Sequence, residues 1–123
     1  MELEDFELIY NENRWECKDK KKIEDKLRKI VGEKNVSSKA IDLLAYTKDA
    51  TLIGCNWTLQ GKIAGSPDFI TWPDTVEQIS NILKLANQEK IPIIPYGGGS
   101  GVVGGAIPVY GGIIIDMKKF NKI

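Results

Sequence analysis

A chain of 123 residues is long enough for one domain with a real core and too short for two. Its 17 Lys and Arg balance 17 Asp and Glu, so nothing in its charge points to a nucleic-acid partner or an anionic membrane. It has no histidine, and its two cysteines, Cys17 and Cys55, are far apart, which leaves no Ser-His-Asp triad, histidyl-linked flavin or metal site to expect.

The first residues, Met1-Glu2-Leu3-Glu4-Asp5, are acidic and lack a basic-then-apolar leader. No apolar run has the length of a transmembrane segment, so a reduced, cytoplasmic setting is expected. Residues 1–17 mix acids with Phe6, Leu8, Ile9, Tyr10 and Trp15 and read as an arm that docks on the body. The lysines from Lys18 to Lys22 are offset by Glu24, Asp25 and Glu33 and read as a solvated helix face. From Asp19, the positions Ile23, Leu27, Ile30 and Val31 fall at helical spacing, and Gly32 stands where a C-terminal cap belongs. A second short helix is expected from Ser37 or Ser38 through Ile41, Leu44 and Ala45. Residues 46–66 hold Leu52, Ile53, Trp57 and Leu59 without a clean period, and are expected to be an irregular connection. Residues 1–65 are thus read as a helical arm plus connection, and 66–123 as the main unit.

That unit opens at Ser66-Pro67-Asp68, and Phe69 to Trp72 form a short strand stopped by Pro73. Asp74 is the expected N-cap, with Glu77 three residues on. Val76, Ile79, Leu83 and Ala86 line one helical face, widened by Ile82 and Leu85, as far as about Gln88. Ile91 to Pro95 return as a strand, so the unit is β-α-β, with a right-handed crossover and two parallel strands expected. Gly112 to Asp116 form another apolar strand, and Ile123 follows with no helix to cover it. Three strands and one helix would leave an open edge beside Ile113 to Ile115 and a half-covered face. The expectation is therefore an α+β fold that breaks off inside a domain, with a second chain as one way to complete it.

Between the last two strands lies the densest signal, Gly97-Gly98-Gly99-Ser100-Gly101, with Gly104-Gly105 close behind. Such clusters let backbone approach a ligand and aim successive N–H groups at a phosphate. A Walker A loop needs Lys and Ser/Thr after its last glycine, whereas Gly101 is followed by Val102-Val103. The dinucleotide pattern G-x-G-x-x-G is matched literally by Gly99, Gly101 and Gly104, and Asp116 imitates its ribose-binding acid. That pattern requires a helix at the loop, which Pro108, Gly111 and Gly112 forbid, and Asp116 follows too closely. What remains is a loop between strands that binds pyrophosphate through N–H groups without a helix dipole.

Three stretches carry a family resemblance: Pro67 to Pro73, the run from Ile91 to Gly105, and Gly111 to Ile123. Together with the helix from Thr75, they closely resemble the start of the FAD-binding domain of vanillyl-alcohol-oxidase-type (PCMH-type) flavoproteins. Within these, the chain is most similar to the branch holding glycolate oxidase, D-lactate dehydrogenase and alkylglycerone-phosphate synthase. Tyr46-Thr47-Lys48-Asp49-Ala50 also resembles the Tyr-x-x-Asp segment that precedes the domain in many members. The resemblance implies non-covalent FAD, with the loop from Pro95 and Tyr96 through Gly97, Gly98, Gly99, Ser100 and Gly101 wrapping its pyrophosphate. Backbone amides would do most of this, with the Ser100 hydroxyl as an extra donor. Several members have arginine where this chain has Tyr96, so no side-chain cation is expected from that position.

Gly104-Gly105 and Gly111-Gly112 read as turn glycines, and Trp57, Trp72 and Tyr110 as packing residues. Cys55 reads as an ordinary thiol rather than a flavin anchor. Catalytic residues of the family lie beyond Ile123 and are unknown here. A full-length relative is expected to oxidise a 2-hydroxy acid by hydride transfer to flavin. The alternatives are the ether-lipid exchange of alkylglycerone-phosphate synthase, and a non-catalytic piece of a split flavoenzyme.

Overall fold

The computed structural model describes residues 3–10 and 12–122, so expectations placed on Met1, Glu2 and Ile123 fall outside the described residues. In chain order the elements are β1 (Glu7–Leu8), α1 (Lys20–Val31), β2 (Val36–Ser37), α2 (Ala40–Ala45), α3 (Leu52–Leu59) and β3 (Lys62–Ile63). β4 (Phe69–Thr71), α4 (Val76–Glu89), β5 (Ile93–Tyr96) and β6 (Ile113–Asp116) complete it.

α1 forms where the spacing put it. Asp19 accepts a hydrogen bond from the Lys22 N–H at 3.0 Å and caps the first turn, and Gly32, at φ +95°, ends the helix. Ile23, Leu27 and Val31 form its buried stripe. α2 begins later than expected because Val36 and Ser37 are taken into a strand. Residues 46–66 are more ordered than their pattern suggested, since they contain α3 and β3. α3 hides its period because its apolar side chains point all round: Leu52, Ile53 and Leu59 are exposed.

α4 is capped one residue later than Asp74. Thr75 has extended backbone and its side chain accepts from the Gln78 N–H at 3.2 Å, while Gln78 Oε1 accepts from the Asp74 N–H at 2.6 Å. Gln78 therefore plays the reciprocal part expected of Glu77. The buried face is also displaced, being Ile82, Leu85 and Ala86, with Val76 and Leu83 exposed.

The main sheet has the order β2-β4-β6-β5, with β2 antiparallel to β4 and the other pairs parallel. β4 and β5 are thus co-directional, as expected of β-α-β, but they do not touch, because β6 lies between them. This corrects the expectation of an open edge beside Ile113 to Ile115. Those residues are buried on both faces, as the unbroken apolar run of a central strand requires, and the outer parallel strand is β5.

Strand pleating splits the core in two. Phe69, Ile113 and Ile115 pack with Ile23, Leu27 and Val31 of α1 and Ile82, Leu85 and Ala86 of α4. Ile70 and Ile114 pack on the other side with Leu43, Tyr46 and Tyr96. The face expected to be half covered is therefore roofed by α1 beside α4, joined by Lys26 Nζ and Glu89 Oε1 at 2.7 Å. The core runs unbroken across residue 65.

The arm docks through its backbone, with Ile9 N–H donating to Ile63 O at 2.9 Å and Trp15 N–H to Tyr110 O at 2.9 Å. Arg14 donates to Ser66 O at 2.5 Å and to Asp68 Oδ1 at 3.0 Å. Asp68 in turn accepts from the Gly112 N–H at 2.7 Å, so the arm is tied to the entry of β6.

Candidate functional site

β5 ends in a buried residue, Tyr96, whose carbonyl accepts from the Met117 N–H at 2.8 Å as the last rung of the sheet. Beyond it the chain leaves regular structure. Among the described residues, none of the N–H groups from Gly97 to Gly101 has a hydrogen-bond acceptor, and the Ser100 hydroxyl has no partner. Gly97, Gly98, Ser100 and Gly101 are exposed. A Cβ built on Gly97 or Gly98 would meet nothing within 4 Å. Open space, solvent access and a run of unspent donors are what a phosphate-bearing ligand needs from a backbone cradle.

Gly99 is different. Its φ is +68°, and a Cβ there would fall 2.1 Å from the Tyr96 hydroxyl, so the loop folds back over the side chain that precedes it. Only glycine fits that fold without strain.

The loop's exit is held by the segment 46–50. Gly101 O accepts from the Ala50 N–H at 2.9 Å. Asp49 Oδ2 accepts from the Gly104 N–H at 3.0 Å, while Asp49 Oδ1 accepts from both the backbone N–H and the hydroxyl of Thr51. Burial alone would push the Asp49 carboxyl up, but these hydrogen bonds outweigh it and hold the group below the usual carboxylate range.

Beneath the loop lies an aromatic and ionic layer. The rings of Tyr46 and Tyr96 meet edge to face at 4.7 Å. The Tyr46 hydroxyl donates to Asp116 Oδ2 and accepts from Trp72 Nε1 at 3.2 Å. Lys118 Nζ lies 2.7 Å from Asp116 Oδ2, and 5.4 and 5.1 Å from the centroids of the Tyr46 and Tyr96 rings. Burial opposes ionisation of Asp116, yet the hydrogen bonds from Lys118 and Tyr46 keep its carboxyl below the usual range. Burial and the bond to Asp116 raise the Tyr46 phenol. No cation comes from position 96, but one stands on the aromatic floor under the loop. Pattern reading missed Lys118 and set Asp116 aside; the available signal was an acid closing an apolar strand with lysine two residues on.

Of the remaining candidates, Gly111, Gly112, Trp57 and Trp72 are accounted for by packing, whereas Tyr110, expected to pack, is 56% exposed. Gly112 has φ +92° and presses on Pro92 O, while Gly111 lies against Asp68 and Arg14. Trp57 meets Tyr10 edge to face at 6.3 Å, and Trp72 serves Tyr46. Cys55 is half buried, its Sγ 4.0 Å from Asp49 O. Among the described residues no cluster of three metal-ligating side chains occurs, and no helix is long and apolar enough to cross a membrane. Clefts of 440 and 710 Å³ lie around Trp15 and Cys17 and take in no residue of the glycine loop.

The profile of a family described as an FAD binding domain matches residues 67–123. The GlcD component of glycolate oxidase from Bacillus subtilis is 28% identical over 103 residues, covering 84% of this chain and 20% of its own. The mitochondrial D-2-hydroxyglutarate dehydrogenase of Arabidopsis thaliana is 30% identical over 96 residues, 78% of this chain and 16% of that one. Among solved structures, an alkyldihydroxyacetonephosphate synthase superposes on the whole chain and 22% of its own, with a TM-score of 0.78 at 22% identity. The chain spans about a fifth of the length of the curated relatives it matches.

Proposed function

Residues 67–123 belong to the FAD binding domain family, and on that premise we propose that the loop from Pro95 to Gly101 holds the pyrophosphate of FAD. The observation that carries this is the run of unpartnered N–H groups from Gly97 to Gly101, in residues that are all exposed except the half-buried Gly99, two of them with open space where a side chain would stand. Gly97, Gly98, Gly99, Ser100 and Gly101 supply amide donors, the Ser100 hydroxyl adds one more, and Pro95 and Tyr96 set the loop's takeoff. Lys118 adds positive potential from below, where it already balances Asp116.

In this reading FAD is held without a covalent link, through the amide donors of the loop, and Cys55, half buried beside the Asp49 carbonyl, is not a flavin anchor. When bound, the flavin supplies the redox chemistry, and this chain binds and orients it. The relatives' names speak of glycolate and 2-hydroxyglutarate, so a 2-hydroxy acid is the substrate class of the whole protein in this reading. Residues 1–65 act as the brace of the binding unit at 66–123.

The test is a titration of the purified chain with FAD, followed by quenching of flavin fluorescence, with ADP as competitor. Saturable binding, displaced by ADP and abolished in Gly99→Asp, is expected. A folded wild-type chain that leaves flavin fluorescence unchanged, or a Gly99→Asp variant that binds equally well, overturns the reading.

A further inference from the structure

Resting on the reading of the loop as a pyrophosphate site, we infer that Asp49 is a positioning residue for FAD, one that fixes the loop's exit and thereby the register of the phosphates. Among the described residues, the loop's backbone is tied down at its two ends. At the entry, Tyr96 O is bound by Met117 N–H. At the exit, two consecutive residues grip it three positions apart: Ala50 N–H on Gly101 O, and Asp49 Oδ2 on Gly104 N–H. Between these anchors the backbone is mostly glycine, the residue with the most conformational freedom to lose on ordering. A ligand bound by such an arc bears that entropy cost itself unless the ends are already set. Asp49 sets one end.

The carboxylate also decides which amides remain for a ligand. It takes the Gly104 N–H, so that amide is withdrawn from the cradle. Asp49 Oδ2 further lies 3.6 Å from where a Gly101 Cβ would stand, which puts a negative charge at the end of the free arc. A phosphate is attracted by the donors of Gly97 to Gly101 and repelled past them, and the boundary between the two fixes its register. Asp49 is itself buried and held by Thr51, so neither its position nor its charge is free to drift.

The test compares wild type, Asp49→Ala, Asp49→Asn and Thr51→Val in two measurements. The first is the FAD and ADP titration. The second, needing no ligand, is amide hydrogen exchange of Gly104, the loop amide that Asp49 holds, against Ile113 to Ile115 in the sheet. Asp49→Ala is expected to weaken both FAD and ADP at least tenfold and to speed exchange in the loop at least tenfold, with the sheet amides unchanged. Asp49→Asn, which keeps the volume and one acceptor oxygen, and Thr51→Val, which removes the hydroxyl donor that holds Asp49 Oδ1, both fall between wild type and Asp49→Ala. Asp49→Ala binding FAD within twofold of wild type overturns the inference, as does faster exchange throughout the sheet, the mark of a general folding role. Wild type failing to bind while Asp49→Ala still speeds loop exchange sinks the pyrophosphate reading instead and leaves Asp49 as the loop's anchor.

Discussion

The Tyr46 hydroxyl donates to Asp116 Oδ2 at 2.5 Å, joining residues 70 apart in the sequence directly under the glycine loop. Asp116 is wholly buried at the end of a central strand, so its charge depends on the two donors that reach Oδ2, Tyr46 and Lys118. Tyr46→Phe removes one donor to that carboxylate and strips Trp72 Nε1 of its acceptor. A loss of about 1–3 kcal/mol is expected, the usual cost of leaving buried polar groups unpaired. A lowered urea midpoint with an unchanged slope checks it.

The same carboxylates shape the pH dependence. Asp49 and Asp116 both have folded-state values below their ordinary ones, so the folded chain holds fewer protons than the unfolded chain in the acid range. Their stabilisation is complete above the unfolded aspartate value of about 3.9 and is lost as pH falls through the folded values. Lys118, raised chiefly by its bond to Asp116, and Tyr46, raised chiefly by burial, act at the other end. Their contribution is complete below about pH 10 and disappears as pH rises through the folded values. Urea midpoints measured across pH should fall at both extremes, and Asp116→Asn should flatten both limbs.

Gly97→Ala and Gly98→Ala separate folding from binding. The added methyl meets nothing, and neither residue has positive φ, so stability should stay within about 0.5 kcal/mol of wild type or rise slightly. FAD affinity should nevertheless fall about tenfold, roughly 1.4 kcal/mol, because the methyl occupies the surface that the phosphates approach. Thermal melts and the flavin titration on one preparation give both numbers. Unchanged affinity in both variants would place the phosphates elsewhere.

Gly112→Ala should behave in the opposite way. Its Cβ would fall 2.1 Å from Pro92 O, a backbone atom, at φ +92°. Overpacking and left-handed strain together should cost at least about 3 kcal/mol. Equilibrium unfolding of this variant beside Gly97→Ala checks that the two kinds of glycine differ.

Arg14→Gln should release the arm without unfolding the body. The guanidinium joins Ser66 O and Asp68 Oδ1, an ionic tie between the arm and residues 66–123 that glutamine cannot make. Limited proteolysis should cut residues 3–18 faster, while exchange at Ile113 to Ile115 stays slow.

Much of this protein was legible in the order of its residues. Local rules suffice for α1, where Asp19, the Ile23-Leu27-Val31 spacing and Gly32 act within one or two turns. They suffice for the C-terminal end of α4, for the strand character of Ile113 to Ile115, and for glycine density after Tyr96. Each depends on neighbours a few residues away, which a linear pattern records. α3 escaped because its apolar residues follow no period, and the α4 cap slipped by one because Asp74 and Thr75 are both competent caps.

Tertiary structure decided the rest. Whether β6 lies at the edge or between β4 and β5 depends on strand pairing across tens of residues, and no local propensity encodes that choice. Only assembly places α1 beside α4 as the roof of the sheet, and only assembly brings Asp49 to Gly104, 55 positions away. The residues of the loop were readable because glycine declares what the backbone is free to do. The hold that Asp49 and Ala50 exert on it was not, because a hydrogen bond between distant segments exists only once the core has set the distance between them.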